Sequence, residues 1–416
     1  MAKAKKDVRA GFFQAALDEA HKEYGSKDVY VSKDHEKAIY GIPLPCTALK
    51  YLFHSNVLPF GRLIGLAGSP GSCKSSFGFD LLRWGVAWGG ISRLVETEGK
   101  LSEQAATVLG DLNKYLMIEN PLSTQEAQQH ITKAVDFQTK HAEGKHLPGF
   151  LLLDSLGGNE GEETMKGIRK NGYASRGFPE NALIWSPYFK YLSAEIVGTK
   201  MIVAFTNHLK KKIDASGPTA QHAKTKQGGA AQDFHASYYL HLKRVRNLVS
   251  CSRYTGIEIA ISVEKNSYGP GGQKISADFV WEYPYPDRPE VQVSYWDWYG
   301  ATARLLMDPK TPTEVKNAVK VTCAAKKYSC PELNLKEVTA AELGMAIDTN
   351  PEMVRRLEEA LHIPIRRIYK DKKVYDGRDP KAPAPVEIQM SPEFVGTVME
   401  EAPEDAPEEV GAWSGE

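Results

Sequence analysis

The apolar positions change their period several times along the chain, and each change predicts a new element. From Val8 to Tyr24, apolar residues recur at steps of three and four, which places them on one face of a helix that Gly25 ends. Farther along, short runs that are apolar throughout alternate with longer amphipathic segments. Such runs are typical of strands buried on both faces, and the longer segments are typical of helices. The alternation predicts an α/β fold with a mostly parallel central sheet and helices on both faces.

The predicted core strands end in polar or acidic residues, which an open parallel sheet places at its ligand-binding edge. The first apolar runs are Leu63–Ala67, Ile91–Val95, Phe150–Leu153 and Met201–Phe205. Alternating strands at Tyr238–Arg244, Gly256–Lys265 and Ser276–Glu282 are predicted to close the core. Helices are predicted at Phe77–Trp88, Ser102–Leu109, Thr124–His141 and Leu183–Val197. Gly157–Glu180 has little periodicity and is predicted to be a mobile loop.

The composition changes after the predicted core. Asp308–Pro312 reads as a linker, and two short helices and a basic hairpin are predicted after it, at Val338–Ile347, Pro351–Leu361 and Ile363–Tyr375. This unit is either a winged-helix-like DNA-binding lobe or a compact helical cap, and the pattern favours neither. Pro380–Glu416 is rich in Pro, Ala and Glu, which predicts a disordered acidic tail.

These patterns divide the chain into four predicted parts. Residues 1–40 hold the first helix, which packs either on its own domain or on a neighbouring subunit. Residues 41–307 form the core, residues 308–378 the small lobe and residues 379–416 the tail.

Composition excludes several classes of protein. The 52 basic and 52 acidic residues balance, so an argument for nucleic-acid binding must rest on local patches. The five cysteines form no C-x-x-C pair, and reduced thiols in a cytoplasm are expected rather than a zinc site. We predict no membrane span and no signal peptide, because no apolar stretch is long enough and none follows the basic N-terminus.

Gly61–Phe77 reads as a strand, a turn of small residues and the start of a helix. The P-loop pattern G-x-x-x-x-G-K-[ST] fits Gly68, Lys74 and Ser75, but Cys73 stands where the second glycine is expected. In a P-loop, backbone N–H groups bind phosphates, the lysine reaches the terminal phosphates and the hydroxyl holds Mg²⁺. The predicted nucleotide-binding residues are Gly68, Ser69, Pro70, Gly71, Ser72, Cys73, Lys74, Ser75 and Ser76. A tight strand-to-helix turn without a ligand is the structural alternative.

Polar residues at other strand ends supply the remaining chemistry of an ATPase. Asp154 follows a buried apolar run and is predicted to hold Mg²⁺ together with Ser75. Glu98 follows a second run and is predicted to activate water. The basic stretch Leu209–Gly229 follows a third strand end and is either a solvated loop or a site for a phosphate backbone.

Together these residues resemble the RecA-type homologous recombinases, and especially their phage branch, the UvsX-like recombinases. The segments that carry the resemblance are Leu58–Arg62 before the P-loop, Glu96–Gly99, Leu153–Ser155, Thr206–His208, Gly228–Arg244 and Val263–Asn266. Glu98 is similar to the acid that activates water in this family. His208 replaces a glutamine, as in the phage branch, and Lys265 resembles a lysine that reaches the ATP of a neighbouring subunit. The resemblance covers Val8–Glu282.

The resemblance implies a DNA-dependent ATPase that uses ATP and Mg²⁺ and forms a helical filament on single-stranded DNA. It would pair that strand with homologous duplex DNA in recombination and repair, with single-strand-binding and mediator proteins as partners. The implied catalytic residues are Lys74, Glu98, His208 and Lys265. The implied DNA-binding loops are 157–179 and 209–229, with Arg169, Lys170, Arg176, Lys210, Lys211, Lys212, Lys224, Lys226, Gly228 and Gly229 on the DNA.

The sequence departs from the family pattern at three places. Cys73 is expected to alter the loop without abolishing binding, and Ser267 stands where bacterial RecA has a second interface lysine. Ser102 and Ala105 lie where an adenine-stacking aromatic residue is expected, which leaves the nucleotide preference open. Two rival functions remain at this point: a ring-forming helicase with a RecA-like core, and a DNA-binding mediator that has lost hydrolysis.

Overall fold

The computed structural model describes residues 8–24, 39–99, 115–141, 144–171, 180–211, 224–226, 229–250, 253–282, 293–370, 372–375 and 383. The predicted helix Ser102–Leu109 and the predicted acidic tail after residue 383 lie outside these ranges. None of the described helices is long and apolar enough to cross a membrane.

A ten-stranded sheet forms the centre of the molecule. Its strands are β3 (Arg62–Gly68), β4 (Ile91–Glu96), β5 (Leu116–Glu119), β6 (Gly149–Asp154), β7 (Met201–Lys211), β8 (Lys224–Lys226), β9 (Tyr238–Ser250), β10 (Arg253–Asn266), β11 (Lys274–Glu282) and β12 (Val293–Asp297). The order is β12-β11-β10-β9-β3-β7-β6-β4-β5, with β8 paired to β7. Each neighbouring pair in the run β9-β3-β7-β6-β4-β5 is parallel. Each neighbouring pair in the run β9-β10-β11-β12 is antiparallel. The predicted α/β fold with a mostly parallel central sheet is confirmed.

Helices cover both faces of this sheet, because successive side chains of a strand point to opposite faces. Along β6, Phe150 and Leu152 belong to one buried apolar cluster, while Leu151 and Leu153 belong to the other. The first cluster includes Phe77 of the P-loop helix, and the second includes Trp185. Continuous apolar strands therefore reflect burial on both faces.

The described part of the chain contains eleven α-helices, of which some were predicted from the apolar periodicity. They are α1 (Val8–Tyr24), α2 (Thr47–Phe53), α3 (Lys74–Ala87), α4 (Thr124–Lys140), α5 (Glu162–Asn171), α6 (Glu180–Glu195), α7 (Ala231–His235), α8 (Trp298–Met307), α9 (Thr313–Ala318), α10 (Ala340–Asp348) and α11 (Pro351–Ala360). The described side chains of α1 are exposed or half-buried. Ser123 caps α4 by accepting a hydrogen bond from the backbone N of Glu126, as expected of a serine at that position.

The prediction of an irregular loop at Gly157–Glu180 was wrong for Glu162–Asn171, which is α5. Glu162 and Glu163 occupy its first turn and Arg169 and Lys170 its last, in agreement with the helix dipole. The carboxylate of Glu180, from the start of α6, accepts hydrogen bonds from the backbone N atoms of Glu163 and Thr164 at 3.3 and 3.0 Å. This distant cap stabilises a helix that periodicity alone does not reveal.

The prediction that β11 closes the core was also wrong, because β12 pairs with it and α8 follows directly. Trp296 of β12 and Trp298 of α8 stack with ring centroids 4.9 Å apart and are almost fully buried. The segment that follows the Pro-rich stretch after β11 therefore contributes two large side chains to the core.

The C-terminal lobe contains strands as well as helices. A three-stranded antiparallel sheet precedes α10, with β13 (Thr322–Ala324), β14 (Lys327–Cys330) and β15 (Leu335–Val338). The predicted hairpin is present as β16 (Arg367–Lys370) and β17 (Lys373–Tyr375). It joins a four-stranded sheet with β1 (Tyr40–Pro43) and β2 (Val57–Pro59), in which β1 and β16 are parallel. The boundaries of the four predicted parts remain predictions.

The lobe docks through buried polar contacts with α2. Asp348 at the end of α10 accepts hydrogen bonds from Thr47 N at 2.8 Å, Thr47 Oγ1 at 2.6 Å and Thr302 Oγ1 at 2.7 Å. Burial raises the pKa of Asp348, and these hydrogen bonds oppose the shift. Lys50 and Glu358 form an ion pair at 2.7 Å beside this contact. Residues about three hundred positions apart in sequence therefore fix the lobe against the core.

Candidate functional site

The turn between β3 and α3 contains two residues in the left-handed region of backbone conformation. Gly71 and Cys73 both have positive φ, +71° and +58°. Cys73 is the residue before α3 and adopts the left-handed region, where glycine is favoured. The cysteine thus keeps the conformation that the missing glycine would supply, at a strain of about 1–2 kcal/mol.

The packing around Gly68 leaves no room for a side chain. A Cβ built on Gly68 would lie under 3.0 Å from Ser72 Oγ and from the carbonyl oxygen of Leu242. Ser72 is 1% exposed, and its Oγ makes no hydrogen bond within the described part of the chain. A buried hydroxyl without a partner, in a loop that opens an α-helix, fits a site that binds an anionic ligand.

Lys74 begins α3, and its Nζ donates a hydrogen bond to the carbonyl oxygen of Ser69 at 3.1 Å. Burial lowers the pKa of Lys74, whereas Asp154 and Glu98 favour its charged form. The ammonium group therefore lies between the loop and the acidic strand ends.

Asp154 ends β6 and lies beside the start of α3. Its carboxylate accepts hydrogen bonds from Thr206 Oγ1 and from the side chain of Ser75. Burial raises the pKa of Asp154, these hydrogen bonds lower it, and Glu98 and Glu96 raise it further. A carboxylate and a hydroxyl in contact beside this loop fit the oxygen ligands that Mg²⁺ prefers.

Glu98 follows β4, and two polar side chains contact the same oxygen of its carboxylate. Ser155 Oγ donates to Glu98 Oε1 at 2.6 Å, and His208 Nε2 lies 2.8 Å from the same atom. Glu96 accepts hydrogen bonds from the backbone N atoms of Glu98 and Gly99 at 2.9 and 2.7 Å. These contacts aim the Glu98 carboxylate toward the ends of β6 and β7.

Sequence reasoning assigned no role to Ser155 or Thr97, which position Glu98. Thr97 Oγ1 accepts from Ser155 N and donates to Ser155 O, both at 2.8 Å. The register places Glu96 opposite Asp154, which brings the two strand ends together. The sequence showed a polar run after each of these two apolar strands. Only the strand pairing shows that the two runs contact each other.

A buried chain of hydrogen bonds leads from Asn207 on β7 to the exit of the predicted second DNA-binding loop. Asn207 Nδ2 donates to Gln232 Oε1 at 2.6 Å, and Tyr239 donates to the same oxygen at 2.9 Å. Gln232 Nε2 then donates to the carbonyl oxygen of Gly229 at 2.7 Å. Gln232 is fully buried and was missed by sequence reasoning, because nothing in its local pattern marks it.

Two described parts of the predicted second loop are strands, because β7 runs on to Lys211 and pairs with β8. Lys210, Lys211 and Lys224 lie on this ribbon, while Lys212 and Gly228 lie outside the described residues. Gly229 has a φ of +79° at the loop exit.

Lys226 is already paired within the protein. Its Nζ lies 2.7 Å from Asp233 Oδ1 and 2.9 Å from Glu264 Oε2, and 3.6 Å from the ring centroid of Tyr239. A DNA contact by Lys226 would require it to exchange these partners.

The remaining predicted residues are distributed over two other elements. Arg169 and Lys170 are exposed at the C-terminal end of α5, and Arg176 lies outside the described residues, as do Ser102 and Ala105. Lys265 Nζ donates to the carbonyl oxygens of Asp233 and Phe234 at 2.8 and 2.7 Å, at the end of α7. Ser267 is exposed just beyond Lys265 in the chain. Lys265 is therefore grouped with the loop exit rather than with the P-loop of its own chain.

Cys73 is expected to resist alkylation. Burial raises the pKa of its thiol to about 12, although Lys74 and Arg244 oppose the shift. Because only the thiolate reacts, we expect iodoacetamide at about pH 8 to modify Cys73 at least about 100-fold more slowly than the exposed Cys323. Peptide mass spectrometry over time measures both rates. Equal rates in the folded protein would contradict this prediction, and urea should abolish the difference.

Comparison with known proteins agrees with this geometry. The RecA N-terminal domain matches residues 12–283, more than half of the chain. Protein RecA of Bordetella petrii is 25% identical over 281 residues, which cover 67% of this chain and 74% of that protein. Protein RecA of Pseudarthrobacter chlorophenolicus is 23% identical over 274 residues, covering 66% and 74%. The chain therefore belongs to the RecA family, whose members are DNA-dependent ATPases that use ATP with Mg²⁺ in homologous recombination and DNA repair.

Proposed function

We propose that the cluster around Lys74 is the ATPase site through which this chain drives homologous pairing. Lys74 and the backbone N–H groups of residues 68–76, apart from Pro70, would bind the phosphates, and Ser75 and Asp154 would hold Mg²⁺, which neutralises phosphate charge. Glu98 would orient and deprotonate the attacking water. The observation that carries this proposal is the closeness of Lys74, at the start of α3, to Asp154 and Glu98, which end or follow the neighbouring strands β6 and β4.

The state of the nucleotide would reach the DNA through β7. His208 contacts Glu98, and Asn207 on the same strand connects through Gln232 to Gly229. A change at Glu98 on ATP binding would alter His208 and thereby the strand that carries Lys210 and Lys211. ATP would in this way order the second loop around single-stranded DNA.

The proposed DNA-binding surface consists of residues on both predicted loops. They are Arg169, Lys170, Arg176, Lys210, Lys211, Lys212, Lys224, Lys226, Gly228 and Gly229. Binding would depend on phosphates and be largely independent of base sequence. Single-stranded DNA affinity that does not change with ATP would contradict the coupling of the two sites.

The lysines of the predicted second loop should contribute unequally to the salt dependence of single-stranded DNA affinity. Replacing Lys210 or Lys211 by Ala should reduce the slope of log affinity against log salt by about 0.7 each on single-stranded DNA. Lys226→Ala should reduce it less, because its ammonium is held by Asp233 and Glu264. Fluorescence anisotropy of labelled oligonucleotides between low and moderate salt measures the slopes. A larger effect at Lys226 than at Lys210 would contradict this ranking.

Filament formation is the family's mode of assembly, and two surfaces of this chain are available for it. The described face of α1 is exposed or half-buried, and β5 lies at the edge of the sheet with Met117 and Ile118 exposed. Lys265 would reach the ATP site of a neighbouring subunit. Single-strand-binding and mediator proteins would assist the loading of this chain onto single-stranded DNA, and the site of action would be a cytoplasm.

The proposal also includes a closer kinship with the phage UvsX-like recombinases, based on Cys73 and His208.

The decisive experiment is ATP-dependent pairing of a single strand with homologous duplex DNA. We expect joint molecules with ATP and Mg²⁺, and none with heterologous duplex. Absence of joint molecules, despite ATP hydrolysis stimulated by DNA, would overturn the proposal. Electron microscopy of the same reaction would show filaments if it is correct and hexameric rings if the chain is a helicase.

A further inference from the structure

Arg244 lies beside the P-loop on the strand next to β3. In the parallel pairing of β3 with β9, Gly68 lies opposite Leu242, and this is the last matched pair because β3 ends there. Arg244 comes two residues after Leu242 on β9, so its side chain leaves the same face of the strand at the level of the loop. Arg244 ends a segment that carries the family resemblance, but sequence analysis assigned it no role.

The guanidinium group of Arg244 is directed at the loop. A Cβ built on Gly71 would lie 3.7 Å from Arg244 Nη1 and would meet no other atom of the described chain within 4 Å. The other terminal nitrogen, Nη2, donates to the side chain of Asn247, which orients the group. The positive charge also favours the thiolate form of Cys73 against the effect of burial on its pKa, in agreement with its closeness to the loop.

The charge balance of the site calls for a further cation. Asp154 and Glu98 offset the positive charges of Lys74 and of a bound Mg²⁺. The negative charge of a nucleoside triphosphate therefore exceeds the net positive charge that these groups leave at the site. Arg244 is exposed and adds one positive charge at the Gly71 side of the loop.

We propose that Arg244 is an additional nucleotide-binding residue, which contacts the phosphates of ATP from the Gly71 side of the P-loop. This inference rests on the proposed ATP site. The group that it recognises is the polyphosphate of a nucleotide, and an arginine suits that role because its planar guanidinium binds two phosphate oxygens at once.

The test is titration of the full chain with a fluorescent ATP analogue and Mg²⁺, in the absence of DNA. We expect Arg244→Ala to weaken binding by about 10-fold or more, as is typical for loss of a hydrogen bond to a charged group. Arg244→Lys should recover part of the loss. Lys243→Ala is the matched control, because Lys243 is the neighbouring exposed cation and points to the opposite face of β9; its affinity should equal that of the wild type.

Affinity of Arg244→Ala within about twofold of the wild type would overturn the inference, as would an equal loss in Lys243→Ala. Far-ultraviolet circular dichroism and thermal unfolding establish that each variant is folded. Lys74→Ala separates this result from the proposed site itself. If the wild type failed to bind the nucleotide, or Lys74→Ala bound it equally well, the proposed ATPase site would be wrong whatever Arg244 does.

Discussion

Replacement of Glu98 by Gln is expected to lower DNA-stimulated ATP hydrolysis by a factor of about 10² to 10⁴. The amide can still accept the hydrogen bond from Ser155, so the local geometry should survive. It cannot take a proton from water, and the chemical step should therefore be the one that fails. Binding of ATP with Mg²⁺ should remain, because Lys74, Ser75 and Asp154 are unchanged. Phosphate release and nucleotide titration measure the two properties separately.

Asp136→Asn is a suitable control for this variant. Asp136 lies on the outer part of α4, where it pairs with Lys140, and removal of its charge should leave hydrolysis unchanged. Hydrolysis by Glu98→Gln within a few-fold of the wild type would show that another group activates water. Normal hydrolysis by the wild type would also exclude the non-hydrolysing mediator.

Replacement of Gly344 by Ala is expected to destabilise the protein by about 1–3 kcal/mol, as for overpacking of a core. In an exposed helix the same change would stabilise by about 1 kcal/mol. Here α10 crosses α8 so closely that a Cβ on Gly344 would lie well under 3.0 Å from the carbonyl oxygen of Tyr299. The two helices must separate, which also strains the contacts of Asp348 with Thr47 and Thr302.

Thermal unfolding and limited proteolysis test this second prediction. The variant should unfold at a lower temperature and be cut more readily near Asp308–Pro312, where α8 leads into the lobe. Met345→Ala is the control, since this neighbour in α10 is 47% exposed and its truncation should cost little. A melting temperature at or above that of the wild type would mean that the helices do not pack as described.

The location of the candidate ATPase site was predictable because Asp154 and Glu98 end or follow apolar strands and Lys74 follows the turn after a third. In a parallel sheet these ends share one edge, so the order of apolar runs along the chain is enough to predict that Lys74, Asp154 and Glu98 are neighbours. Their assigned roles remain proposals. The contacts that orient them were not predictable, since Ser155 and Gln232 act through partners that are far away in sequence.

Among the elements that escaped prediction, two did so for related reasons. Helix α5 depends on Glu180 from another helix, and the ribbon of β7 and β8 depends on pairing across the second loop. Local periodicity records only which face of a segment is buried. It does not record a cap or a strand partner supplied from elsewhere in the chain.

By itself, the sequence determined the alternation of buried strands and amphipathic helices, the small-residue turn before α3 and the acidic strand ends, because these depend on local pattern and spacing. Only the tertiary structure decided that Cys73 takes a glycine conformation, that Lys226 is paired with Asp233 and Glu264, and that Arg244 faces Gly71. It also decided that the lobe shares a sheet with the N-terminal strands. Such features arise where distant segments meet, and their geometry is set by packing rather than by the order of residues along the chain.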